Sequence, residues 1–127
     1  MNGQSFLYIG GGLSLLWGIA HLIPTRAVVR GFGDISEDNQ RIISMEWIME
    51  GVTLIFLGVV IITITALDPT GTASSAIYLL TAMCFIVMAF ISLLTGFKVH
   101  FLPFRLCPVI FSLSAGLVVI GWTMLRA

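Results

Sequence analysis

Charge is scarce in this chain. Its 127 residues hold six basic and six acidic side chains, 9% of the total, against 58% hydrophobic residues and a mean hydropathy of +1.09. A soluble domain averages about 25% charged residues, so water is not the main solvent here. The net charge is zero and basic residues form no run. That leaves no electrostatic case for nucleic acid, and none for specific capture of anionic lipid. Cysteine is nearly absent: Cys84 and Cys107 stand alone, without a Cys-x-x-Cys pair. This argues against thiol–disulfide chemistry, and both read as small buried apolar side chains. No Gly-rich phosphate loop, nucleophile elbow or zinc-protease motif occurs, nor the Glu-x-x-His pairs of di-iron bundles. Two histidines and two glutamates could hold a metal, but their spacing is not diagnostic. No cofactor and no metal is therefore assigned.

What the chain has instead is long apolar runs. Crossing a bilayer takes about 20 helical residues. Four stretches are long enough: Ser5–Ile23, Ile43–Ala66, Ser75–Phe97 and Pro103–Leu125. They account for the whole chain, 1–127, as one all-α domain, an integral membrane four-helix bundle. The first stretch lacks the basic leader and small-residue cleavage site of a signal peptide.

The loops set an orientation. Arg26, Arg30 and Arg41 lie in the first loop, residues 24–42, and Lys98 and Arg105 in the third, whereas the second carries Asp68 and no base. Basic residues resist translocation, so loops one and three are expected in the cytoplasm, with both termini outside. Pro24 ends the first helix. Gly31–Gly33 reads as a turn. Asp34 and Glu37 have capping-box spacing, which starts the second helix near Ile35. Glu37 and Arg41 form an i,i+4 pair. Pro103 or Pro108 suits the first turn of the last helix.

Helical geometry gathers the polar residues. At 3.6 residues per turn, Gly11, Ser14, Gly18 and His21 share one face, and Asn39, Glu46, Glu50 and Thr53 share another. Small residues allow close helix approach in lipid, so the first face should look inward, and Gly51 and Gly58 form a second docking stripe. Thr81, Cys84, Met88, Ser92 and Thr95 line a face of the third helix. Ser112, Ala115, Gly116, Val119 and Thr123 line one on the fourth. Depth adds a layer. His21 lies about 4.5 Å inside Pro24, and Glu46 and Glu50 about 7.5 and 13.5 Å beyond Arg41. Ser92 and Thr95 lie about 9 and 4.5 Å in from Lys98. These groups occupy the cytoplasmic half, flanked by Trp17 and Trp47, with Arg105 just above.

An intramembrane carboxylate needs a partner or a task. Glu46 is shallow and can reach water, or pair with Arg41 or Arg105. Glu50 is deeper, either hydrogen-bonded to His21 for structure or acting with it. Such a pair can exchange a proton near neutral pH, which suits acid–base work on an apolar substrate. Glu50, His21 and Glu46 are thus the candidate proton-handling residues. Trp17, Trp47, Thr53, Ser92, Thr95 and Arg105 are the candidate ligand contacts. The expected ligand is a small apolar or amphipathic molecule such as a quinone, isoprenoid or lipid. The alternatives are an accessory or structural subunit, with the glycine stripes as docking faces, or a small proton-linked transporter. Homo-oligomerisation is compatible with each.

Gly18-Ile19-Ala20-His21-Leu22-Ile23-Pro24, closing the first of four spans, resembles the DoxX-like small bacterial membrane proteins, in which a G-x-x-H/K-hydrophobic motif often ends the first helix. Gly31–Asp34 and Met45–Gly51 lie outside that motif. The resemblance implies a four-helix membrane bundle in the bacterial inner (cytoplasmic) membrane, in some members linked to quinone or thiol oxidation. The His/Glu/Glu/Trp set is also similar in kind, by site chemistry alone, to sterol isomerases of the emopamil-binding group.

Overall fold

The computed structural model describes residues 2–100 and 102–127 and, among these, contains helices and no strand. Each helix starts and stops for a local reason. Helix α1, Gly3–Leu22, is capped by Asn2, whose side chain accepts the Ser5 amide at 2.9 Å. It ends just before Pro24. The expected cause, exclusion of the preceding residue from the helical region, does not apply, because Ile23 keeps helical angles (φ −58°, ψ −48°); Pro24 instead lacks the N–H that would continue the hydrogen-bond ladder. A six-residue helix, α2, Thr25–Arg30, then runs through the segment expected to be loop.

Helix α3, Glu37–Leu67, is capped by Ser36, whose hydroxyl accepts the Asn39 amide at 3.2 Å. The expected cap at Asp34 is therefore displaced by two residues. Gly33 takes a left-handed φ of 73° and its carbonyl accepts the Ile35 amide, so the chain is still turning where the capping box was placed. Glu37 and Asp38 in the first turn complement the helix dipole. Helix α4 spans Thr72–Leu94 after the Asp68–Gly71 turn, and a short 3₁₀ turn follows at Gly96–Lys98. Helix α5, Leu102–Arg126, has Pro103 in its first turn, where a missing N–H is harmless, and Pro108 in its interior, where it removes a helix hydrogen bond.

Helices α1, α3, α4 (with its 3₁₀ extension) and α5 are long and apolar enough to cross a membrane. Their outward faces carry Leu16, Phe56, Leu80 and Phe90, each more than half exposed. An apolar surface of this extent fits a membrane protein.

Helix α1 is the hub. It packs along α3 and α5, α4 packs on α5, and α3 touches α4 little. The bundle is thus ordered α3, α1, α5, α4, with its weakest seam between two helices adjacent in sequence. Glycine makes the α1–α3 contact possible. A Cβ on Gly18 would lie 2.7 Å from the Gly51 carbonyl oxygen, and one on Gly58 2.6 Å from that of Gly11. Ser14 donates across the same contact to the Leu54 carbonyl at 2.8 Å. Gly3 and Gly121 bring α1 and α5 equally close. Such backbone approach is how helices gain packing energy without a hydrophobic driving force.

The buried face of α5 coincides with the small-residue stripe only at Ala115. Cys107, Phe111, Ser114, Ala115, Val118 and Gly121 are buried, whereas Ser112, Val119 and Thr123 are exposed. Because α5 lies between α1 and α4, its buried surface follows large side chains such as Phe111 and Val118 rather than the hydroxyl stripe.

Candidate functional site

The end of the bundle holding α2 and the Gly96–Lys98 turn contains most of the charged groups and both histidines. His21 stands in the last turn of α1 with its side chain 3% exposed. Trp47, one helix away, fixes it twice. The two rings stack with centroids 3.8 Å apart and planes 14° from parallel. The Trp47 indole N–H also donates to the His21 carbonyl at 2.7 Å, satisfying one of the orphan carbonyls at the end of α1. Phe104 of α5 packs edge-on against Trp47 at 5.3 Å.

Glu50 lies one turn beyond Trp47, at the edge of the buried face of α3. Its Oε2 is 3.5 Å from His21 Nε2, and its side chain is 37% exposed. That spacing is longer than a formed hydrogen bond. His21 Nε2 is buried and has no hydrogen-bond partner among the described residues. Cys107 completes the cluster from α5: its sulfur, His21 and Glu50 each offer a ligand atom within 4.8 Å of the others.

These three residues line a cavity of about 390 Å³, whose other walls are Met88, Ile91 and Ser92 of α4, then Thr95, Gly96, Val99, Phe104 and Phe111. All four long helices contribute, and the cavity sits in the weak α3–α4 seam. A second cavity, about 420 Å³, lies on the other side of Glu50 and Phe104, under Val28 and Phe32. A third, about 400 Å³ and lined by Ala27, Val28, Gly31, Phe32, Val99 and Phe104, adjoins both. Phe104 is a wall of all three. The α2 segment is therefore a roof over the second and third cavities.

The nine residues singled out in the sequence fall into distinct places. His21, Glu50 and Trp47 come together, and Ser92 and Thr95 face them across the first cavity. Glu46 and Thr53 line the second cavity and are exposed, with the Thr53 hydroxyl bonded to the Met49 carbonyl. Glu46 makes no ion pair among the described residues, and Arg41 pairs instead with Glu37 and Asp38. Arg105 turns to the third loop, donating from Nε to the Val99 carbonyl at 3.0 Å. Trp17 lines none of the three cavities. It packs on the core, with its indole nitrogen buried, without a hydrogen bond among the described residues, and beside the Cys107 thiol.

Cys107, Phe104 and Phe111 had no signal in the sequence, because their meeting with His21 and Glu50 depends on how α5 is rotated. Only the small faces of α1 and α3 could be found from spacing. Comparison with protein-family models, curated proteins and solved structures finds no match, so the functional reading rests on the geometry of this site.

Proposed function

We propose that this chain is an integral membrane protein whose cavity binds a small apolar or amphipathic molecule of the quinone, isoprenoid or lipid kind. His21 and Glu50 meet the polar end of that molecule and form an acid–base pair toward it. The observation that carries this reading is a buried, unbonded imidazole nitrogen 3.5 Å from a carboxylate, at the wall of a cavity of about 390 Å³. A buried polar atom without a partner costs about 1–3 kcal/mol, and a ligand's polar group supplies the partner. Met88, Ile91, Val99, Phe104 and Phe111 give the cavity an apolar lining for the remainder of the molecule. Few convergent polar groups in an apolar pocket is the usual make-up of a ligand site.

In this reading the helices span the bilayer with both termini outside and the cavity toward the cytoplasmic leaflet of a bacterial inner membrane. Arg26, Arg30, Arg41, Lys98 and Arg105 all belong to the cavity end, which supports that orientation. The DoxX-like resemblance of Gly18–Pro24 is part of the same proposal.

Detergent extraction followed by native mass spectrometry tests the pocket. A lipid-like mass retained by the parent and lost from Glu50→Gln is the expected result. Foreign subunits copurifying without any retained small molecule would replace this reading with that of an accessory subunit. Orientation is tested by single cysteines at Asp34 and Thr70, in a background lacking Cys84 and Cys107. An impermeant maleimide on whole cells should label the Thr70 site and spare the Asp34 site; the reverse pattern inverts the topology.

A further inference from the structure

We propose that His21, Glu50 and Cys107 bind a divalent transition-metal ion of the zinc class at the head of the cavity. The ligand reading above requires no metal, and this inference goes beyond it: with an ion bound, His21 and Glu50 would meet the ligand's polar end through the ion rather than directly. Imidazole nitrogen, carboxylate oxygen and thiolate sulfur are the three donor types that zinc takes. They come from three different helices, α1, α3 and α5, and their ligand atoms lie within 4.8 Å of one another. In a tetrahedral site with bonds of about 2.0–2.3 Å, ligand atoms stand about 3.3–3.6 Å apart. The His21–Glu50 distance, 3.5 Å, already meets that requirement. Cys107 has to close by roughly 1 Å on the same scale, within the reach of a χ1 adjustment.

A second observation points to a ligand independently of the cluster. The His21 side chain is 3% exposed, and its Nε2, the atom aimed at Glu50 and the cavity, has no hydrogen bond among the described residues. Metal-binding imidazoles are held in orientation by their surroundings. Here that task falls to the Trp47 ring stacked at 3.8 Å and to its indole bond to the His21 carbonyl. Three protein ligands leave a fourth position, and it opens into the cavity. Three ligands plus an open position is the pattern of catalytic rather than structural zinc. Binding displaces the thiol proton to solvent as the sulfur becomes a thiolate.

Cobalt(II) is the probe. The full chain, purified in detergent under reducing conditions and stripped by a chelator, is titrated with Co²⁺. One equivalent should produce a thiolate-to-cobalt charge-transfer band and the visible bands of a four-coordinate ion, and Zn²⁺ should bleach both. Cys107→Ser should lose the charge-transfer band, whereas Cys84→Ser should keep it. His21→Gln and Glu50→Gln should each weaken Co²⁺ binding about tenfold or more, at least the loss seen when a supporting residue is removed. Should Cys107→Ser fail to fold, a Zn²⁺-dependent rise in melting temperature, present in the parent and absent in His21→Gln, decides instead. No charge-transfer band in the parent, or a band that survives Cys107→Ser, overturns the proposal. The pocket reading is judged separately, by a lipid-like mass retained in the metal-free protein.

Discussion

The two ends of this bundle are built differently. At the end holding the Asp68–Gly71 turn and both termini, packing is close. Leu7, Ile61, Tyr78 and Val118 are fully buried, Gly3 and Gly121 bring two backbones together, and the Thr65 and Tyr78 hydroxyls bond at 3.0 Å. At the other end α3 and α4 part, three cavities open around Phe104, and an imidazole nitrogen is left unbonded. The same four helices serve both. The difference teaches that close packing and open space are separated along the bundle axis: glycine contacts hold α1 and α3 together over their length, so the far α3–α4 seam can stay open. A buried polar group without a partner is tolerated only where other contacts outweigh its cost.

The sharpest way to break this comparison is to wedge the close contact. Gly18→Leu should have the largest effect of any change considered. Even its first carbon would sit 2.7 Å from the Gly51 carbonyl oxygen and 2.8 Å from the Ile55 nitrogen, so backbones must move. Overpacking alone costs about 1–3 kcal/mol, and lost helix docking adds to it. Gly12→Ala is the counter-test, since nothing lies within 4 Å of the added carbon. It should raise the melting temperature, because alanine is better than glycine in a helix by about 0.8–1.0 kcal/mol. Equal melting temperatures for both variants would mean that α1 and α3 do not meet through glycine.

Trp47→Phe comes next. It keeps an aromatic ring beside His21 but removes the 2.7 Å bond to the His21 carbonyl. A buried carbonyl losing its partner costs about 1–3 kcal/mol. The imidazole should also lose its fixed orientation, so ligand retention should fall by more than the thermal shift alone implies. A variant that melts like the parent and retains ligand would show that the tryptophan merely fills space.

Glu50→Gln is expected to move stability less than Glu50→Ala. The amide keeps the shape of the carboxylate, but its nitrogen donates where a carboxylate oxygen accepts, and it cannot exchange a proton or serve as an anionic metal ligand. Thermal melts should therefore stay close to the parent while ligand binding is lost. Glu50→Ala should destabilise by about 1–3 kcal/mol if His21 depends on the carboxylate. A glutamine variant that unfolds as badly as the alanine one would make Glu50 structural.

Much of the close-packed part was legible from spacing, because in an apolar chain small residues mark where helices approach. Gly11, Ser14, Gly18 and His21 are all buried on α1, and Gly51 and Gly58 face them from α3. The open end was legible only in its local parts. Periodicity puts Glu50 and His21 at one depth, but it carries no information on the rotation of α5. The stripe Ser112–Thr123 could be read as a face but not given a direction, and the buried face is set by Phe111 and Val118. Cys107 could not be tied to His21 and Glu50, since no sequence interval encodes a contact across three helices. Helix α2 was missed because six residues between a proline and a glycine read as a connection.

Glu46→Gln should do least of all, and it sharpens the comparison within one end of the molecule. Glu46 and Glu50 are four residues apart and share a side of α3, so composition and spacing treat them alike. Their surroundings do not. Glu46 is exposed and without an ion pair among the described residues, whereas Glu50 lines two cavities and stands 3.5 Å from His21. A surface substitution away from packed or paired groups usually changes stability by less than about 0.5 kcal/mol. Glu46→Gln should accordingly melt with the parent, retain its lipid-like mass and bind Co²⁺ as tightly. Loss of ligand in this variant at unchanged stability would move the working carboxylate to the second cavity, under Val28 and Phe32. The His21–Glu50 pair would then be a packing feature of the first.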